Sequence, residues 1–77
     1  MEILNLATIN VNVQKTVEFP FSVKTVKSVV VSLNQANYNG VSYAVTNVTT
    51  SSFVLNGMRT AGSVGNVYFY WIAVVDY

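Results

Sequence analysis

The chain contains no cysteine and no histidine. The first absence removes disulfides and thiolate metal sites. The second removes the commonest metal ligand and the usual general base at neutral pH. Charge is scarce as well: Lys, Arg, Asp and Glu make up 9% of the chain, and the formal net charge is +1. The cations Lys15, Lys24, Lys27 and Arg59 are scattered, whereas a nucleic-acid surface leaves a basic stripe. The carboxylates are Glu2, Glu18 and Asp76, the first and last near opposite ends of the sequence. No pair of them is spaced for glycosidase-type acid–base work, and a lysine-activated serine would need Lys15, Lys24 or Lys27 to be buried. The expectation is a protein without an active site, a metal or a cofactor. "GMRTAGSVG" lacks the lysine of a phosphate loop and opens no helix.

Long apolar runs are missing too. A membrane-spanning helix takes about 20 apolar residues, and the longest run, 67–75, has nine. The opening "MEILNLATINVNVQ" has no cationic start, and Asn5, Asn10 and Asn12 interrupt it, so it does not read as a signal peptide.

What is abundant is apolar and β-branched. Hydrophobic residues reach 52% in a chain of 77 residues. A domain of that size buries only about 60% of its unfolded surface and commonly relies on disulfides, metals or partner chains for stability. With the first two excluded, association between copies is the expected support. The polar surface falls to neutral Asn, Ser and Thr, a composition that suits an assembly or a surface meeting sugars.

No stretch has a helical period, and six strands are expected. "ATINVNVQ" alternates Ile9, Val11 and Val13 against Asn10, Asn12 and Gln14. Lys15 and its neighbours are expected to turn this strand into the next, "TVEFPF". There Val17 and Phe19 oppose Thr16 and Glu18, and Pro20 ends the strand or marks an edge. "SVKTVK" admits a crossover between sheets. "SVVVSLN" sets Val29, Val31 and Leu33 on one face against Ser28, Val30 and Ser32 on the other, and "QANYNG" is a turn. "VSYAVTNV" and the short "FVLN" follow, with Phe53 and Leu55 inward. "GMRTAGSVGN" is the longest loop, and the last strand spans 67–75. This pattern is all-β: an antiparallel sandwich or barrel, in one domain over 1–77.

In the last strand Val67, Phe69, Trp71 and Ala73 share one face, and Tyr68, Tyr70, Ile72 and Val74 share the other. The first set is assigned to the core. The second is expected at a subunit interface. Candidate ligand residues are Asn37, Tyr38 and Asn39 in the "ANYNG" turn, which ordinary turn chemistry also explains. Arg59, the only arginine, is placed in the long glycine-bearing loop, as a ligand or interface group or as a solvated charge or a partner of Asp76 or Glu18. "NVT" at Asn47 matches a glycosylation acceptor, and strand-end chemistry accounts for it equally.

"TVEFPFSV", "SVVVSLN", "VTTSSFVL" and "YFYWIAVVDY" occur in that order over about 16–77. The series resembles the H-type lectin fold family, most closely the C-terminal tip domains of bacteriophage tail fibres. The shared elements are the aromatic–proline step Phe19-Pro20-Phe21, the valine-rich strand, the step from Val48 to Phe53 and the near-terminal Trp71-Ile72-Ala73. The resemblance implies a six-stranded antiparallel β-sandwich that forms a homotrimer at the distal end of a virion's tail fibre, joined to the rest of that fibre. Its partner there is bacterial surface glycan. Alternatives are a structural trimerisation or capping domain of the fibre and a free-standing, secreted H-type lectin. Sugar-binding animal members carry an arginine where Ala44 stands, and an aromatic–histidine pair where Arg59 and Thr60 stand. A glycan bound here would meet other residues.

Overall fold

The computed structural model describes residues 2–34, 40–62 and 65–77. It contains six strands and, among the described residues, no helix: β1 (Glu2–Asn5), β2 (Val13–Glu18), β3 (Thr25–Leu33), β4 (Val41–Thr46), β5 (Ser52–Arg59) and β6 (Asn66–Asp76). They form two three-stranded sheets, ordered β1-β6-β3 and β2-β5-β4, and every pairing is antiparallel. Only β4 and β5 are consecutive neighbours within one sheet; each other connection passes between the sheets. Of the "SVKTVK" stretch, Ser22–Lys24 lie in a crossover from β2 in one sheet to β3 in the other, and Thr25–Lys27 already belong to β3.

The core lies between the sheets. Phe53 and Leu55 on β5 face Val67 and Phe69 on β6, and Leu4, Leu6, Val17 and Phe19 complete the buried set. Trp71 packs against Phe53 in an edge-on arrangement with centroids 5.3 Å apart, and Phe19 sits 5.7 Å from Trp71. Edge-to-face contact suits the ring quadrupoles and adds to the area buried. Val67, Phe69, Trp71 and Ala73 thus occupy the core face as the alternation of β6 requires. On the core face of β5 a Cβ at Gly57 would lie 2.6 Å from Leu4 Cδ1, so any larger residue there would push the Leu4 side chain aside. At one margin of the sandwich, inward-pointing Lys15 on β2 reaches Glu2 on β1 at 3.0 Å, closing that side with charge.

The strand count agrees with the sequence reading, but the first strand does not. Residues 7–12 are not a strand, and β1 is the earlier segment Glu2–Asn5. The alternation of Ile9, Val11 and Val13 is overridden locally. Asn5 Oδ1 accepts from the Ala7 N–H, and Asn10 takes a left-handed φ of 61°. Ile9 and Val11 remain exposed. Lys15, expected in a turn, lies inside β2 instead, which begins at Val13. Β5 is longer than "FVLN": it continues through Gly57 and Met58 to Arg59, because residues 57–59 pair with β2 and β4.

Gly40 opens β4 with φ +73°, and its carbonyl accepts from the Thr60 N–H at 2.8 Å. A Cβ at this position would meet Ala61 N and Cβ at 2.8 Å. Gly40→Ala therefore combines left-handed strain with a backbone collision and should cost about 2 kcal/mol or more. The midpoint of urea unfolding, compared with the unsubstituted chain, measures it.

Candidate functional site

The two sheets turn very different outer faces to their surroundings. On β1-β6-β3, the outward positions of β6 are Tyr68, Tyr70, Ile72 and Val74. Across the ladder Val30 lies opposite Ile72, Ser28 opposite Val74, Ser32 opposite Tyr70, and Ile3 opposite Tyr68. Tyr68 is half-buried, but Ile72 is 69% exposed, Val30 60% and Val74 51%. Tyr70 and Ile3 are exposed too. This is one contiguous apolar face, and contiguous apolar surface of that kind marks an interaction site more often than scattered exposed residues do. Lys27 interrupts the β3 ladder at a register shift and pairs with Asp76 at 3.6 Å, at the margin of the face.

The outer face of β2-β5-β4 carries one charge, Glu18 at its margin, and otherwise mixes polar Gln14, Thr16, Ser42, Thr46 and Asn56 with apolar Ala44, Val54 and Met58. Its centre is Asn56, buried on the middle strand. Asn56 Oδ1 accepts from Gln14 Nε2, and Asn56 Nδ2 donates to Thr46 Oγ1, both at 2.8 Å. One amide thus ties the side chains of all three strands together, with its polar atoms satisfied. Beside this network runs an open groove of about 140 Å³ lined by Asn12, Ser42, Ala44, Asn56 and Met58, with Tyr43 and Gly57. Hydroxyl, amide and thioether groups alternate there, and no charged side chain lines it. No group of three or more carboxylates placed to hold a metal occurs among the described residues.

Arg59 lies outside the long loop in which the sequence reading placed it. It is the last residue of β5, and it is buried. Its Nε donates to the Leu6 carbonyl at 2.8 Å, one terminal nitrogen to the Ala7 carbonyl at 2.6 Å and the other to the Gly62 carbonyl. The Arg59 carbonyl accepts from the Asn10 N–H at 2.7 Å. The side chain is neither a solvated charge nor a partner of Asp76 or Glu18; Asp76 pairs with Lys27. The planar fork of guanidinium donors suits this task, gathering three main-chain carbonyls from two segments far apart in sequence. Arg59 also holds residues 7–12 out of a ladder at two points: its guanidinium takes the Ala7 carbonyl, and its own carbonyl takes the Asn10 N–H.

The other candidates fall out as follows. Asn37, Tyr38 and Asn39 lie outside the described residues. Gly40, which follows them in sequence, bonds to Thr60, and Val41 pairs with Arg59, so the start of β4 and the end of β5 meet at one end of the sandwich. Ala44 is on β4 and lines the groove. Asn47 is exposed with φ 51° just after β4, and Thr49 Oγ1 accepts from the N–H groups of Ser51 and Ser52, which is strand-end and turn chemistry. The Asn56 network went unread in the sequence. The signal available was an asparagine at the middle of a strand otherwise rich in apolar residues.

No family model, curated protein or solved structure matches this chain. None of the helices that could span a membrane by length and hydropathy occurs among the described residues.

Replacing Arg59 by methionine keeps an unbranched stem and removes its donors. Three carbonyls then lose their partner at a buried site, and the expected loss is about 3 kcal/mol. Arg59→Lys should recover only part of it, because one ammonium cannot reproduce the fork. Urea unfolding of the two variants side by side checks both the loss and the incomplete rescue.

Proposed function

We propose that this chain is a non-catalytic recognition module, the receptor-binding tip domain of a phage tail fibre. In this reading it is a lectin-like sandwich of the H-type kind. Three copies associate through the outer face of β1-β6-β3 and bind bacterial surface glycan with the remainder of their surface, at the distal end of the fibre. The observation that carries the reading is the contrast between the two outer faces. One is a continuous apolar surface, with Ile72, Val30, Val74 and Tyr70 at least half exposed in a single copy. The other is more polar, with amides and hydroxyls centred on Asn56 and a single charge, Glu18, at its margin. Burying the first against sister copies recovers the hydrophobic stabilisation that a short chain without cysteine otherwise lacks. The second has the composition expected of a surface that meets sugar hydroxyls without strong charge. Weak sites multiplied over three copies, and over several fibres, give avidity. Asn37, Tyr38 and Asn39, which precede Gly40 in sequence, are carried as ligand contacts.

A second reading is favoured by Arg59. The only arginine is spent on main-chain carbonyls, which suits a domain built mainly to clamp or cap the fibre. The two readings part on adsorption: alanine substitutions at Asn37, Tyr38 and Asn39 abolish binding to host envelope from an intact trimer in the first, and leave it unchanged in the second.

Self-association is tested by the mass in solution. The unsubstituted chain should elute as a trimer, with light scattering giving three times the protomer mass. Tyr70→Asp puts a charge in the middle of the apolar face and should shift that mass to the monomer while the far-ultraviolet β signal persists. A monomeric parent chain would overturn the proposal.

A further inference from the structure

At the end of the sandwich opposite Gly40 and Arg59, β2 stops at Glu18 and the chain crosses to the other sheet through Phe19, Pro20, Phe21 and Ser22. These residues, with Ser51 from the β4–β5 turn, line an open depression of about 370 Å³. Phe19 points into the core, but Phe21 does not: it is 44% exposed, and its ring rests on that of Tyr77, which is 80% exposed. Their centroids are 5.2 Å apart with the planes tilted by 42°. Two aromatic rings held together in solvent, outside the core, have no packing role that accounts for them. Glu18 stands beside them. Of the three carboxylates it alone makes no ion pair among the described residues, since Glu2 pairs with Lys15 and Asp76 with Lys27.

We propose that this depression is a carbohydrate subsite that takes one neutral hexopyranose unit. Phe21, backed by Tyr77, offers a flat face to the C–H side of the sugar ring. The Glu18 carboxylate accepts from its hydroxyls, and the Ser22 and Ser51 hydroxyls bond at the rim. A carboxylate accepts through two oxygens and so suits a neighbouring pair of hydroxyl donors. The rings lean on one another and make a single platform; a cage for a cationic ligand would need rings on facing walls. Much of the depression is fixed beforehand. Pro20 restricts the backbone at its middle. Ser51 is held by its carbonyl, which accepts from the Phe19 N–H at 2.9 Å, and by its N–H, which donates to Thr49 Oγ1 at 3.2 Å. A site that needs little ordering on binding loses less affinity to entropy.

The inference rests on the glycan-binding part of the proposed function, and the test separates the two. The protein, labelled with nitrogen-15, is titrated with the methyl glycosides of glucose, galactose, mannose and N-acetylglucosamine into the tens of millimolar, the range expected for one weakly held sugar. The same sample is screened on an array of bacterial surface polysaccharides. Saturable amide shifts at Glu18, Phe21, Ser22 and Ser51, together with at least a tenfold weaker Kd in both Phe21→Ala and Glu18→Gln, support the subsite. Both side chains are exposed, and the emission of Trp71, packed in the core, reports whether the variants stay folded. If Phe21→Ala unfolds, Glu18→Gln and the shift map of the parent chain decide. Saturable shifts confined to Asn12, Ser42 and Asn56, or to Gly40 and Thr60, overturn this subsite and leave glycan binding standing. Binding to no sugar and to no polysaccharide overturns both.

Discussion

The fold depends on the packing of β5 against β6. These are the middle strands of the two sheets, and their inward residues Phe53, Leu55, Val67 and Phe69 are almost wholly withdrawn from solvent. Every other strand is held by pairing with one of these two. The tilted cluster of Phe19, Phe53 and Trp71 extends the contact along the sandwich and fixes the place where β2 ends and the crossover begins. In a chain with no cysteine, that contact is the main source of cohesion inside one copy. It also sets the directions of the two outer faces, because each strand of period two must send its alternate residues away from the core.

Those alternations are why so much of the architecture was legible. Where one face of a strand is buried, its inward and outward residues can be read by counting, as at Val29, Val31 and Leu33 or along β6. The continuous apolar run of β6 also made legible that its outer face is apolar, as the exposed Tyr70, Ile72 and Val74 show. The failures have a common cause. Between residues 7 and 12 the alternation is present but unused, because Asn5, Asn10 and Arg59 supply local and distant bonds that compete with a ladder. Periodicity reports what a segment is able to do if nothing else claims its backbone. It carries no information about a guanidinium arriving from more than fifty residues away.

Arg59 shows the same limit for function. A single arginine among glycines looks like a ligand group when only neighbours in sequence are considered. Pairing of Val41 with Arg59 extends β5 past the point where composition suggests a loop, and the side chain is turned inward to bind the backbone. Conversely, Asn56 looks unremarkable in sequence and proves to join three strands through one amide. The exposed pair of Phe21 and Tyr77 was equally hidden, since the two residues are distant in sequence and meet only because β6 ends where the crossover passes.

The order of the strands has a consequence for how the chain reaches this state. Sheet β1-β6-β3 has no internal hairpin; its two outer strands pair only with β6, which is the last of the six to leave the ribosome. Until then β1 and β3 have their ladder groups unpaired, and only β4 and β5 are able to form a local pair. Folding that waits on distant contacts is slow, typically milliseconds to seconds for such topologies, and leaves strand edges open to wrong partners meanwhile. The register shift at Lys27, which breaks the β3 edge and puts a charge on it, guards that edge against wrong pairing as much as it marks the finished sheet.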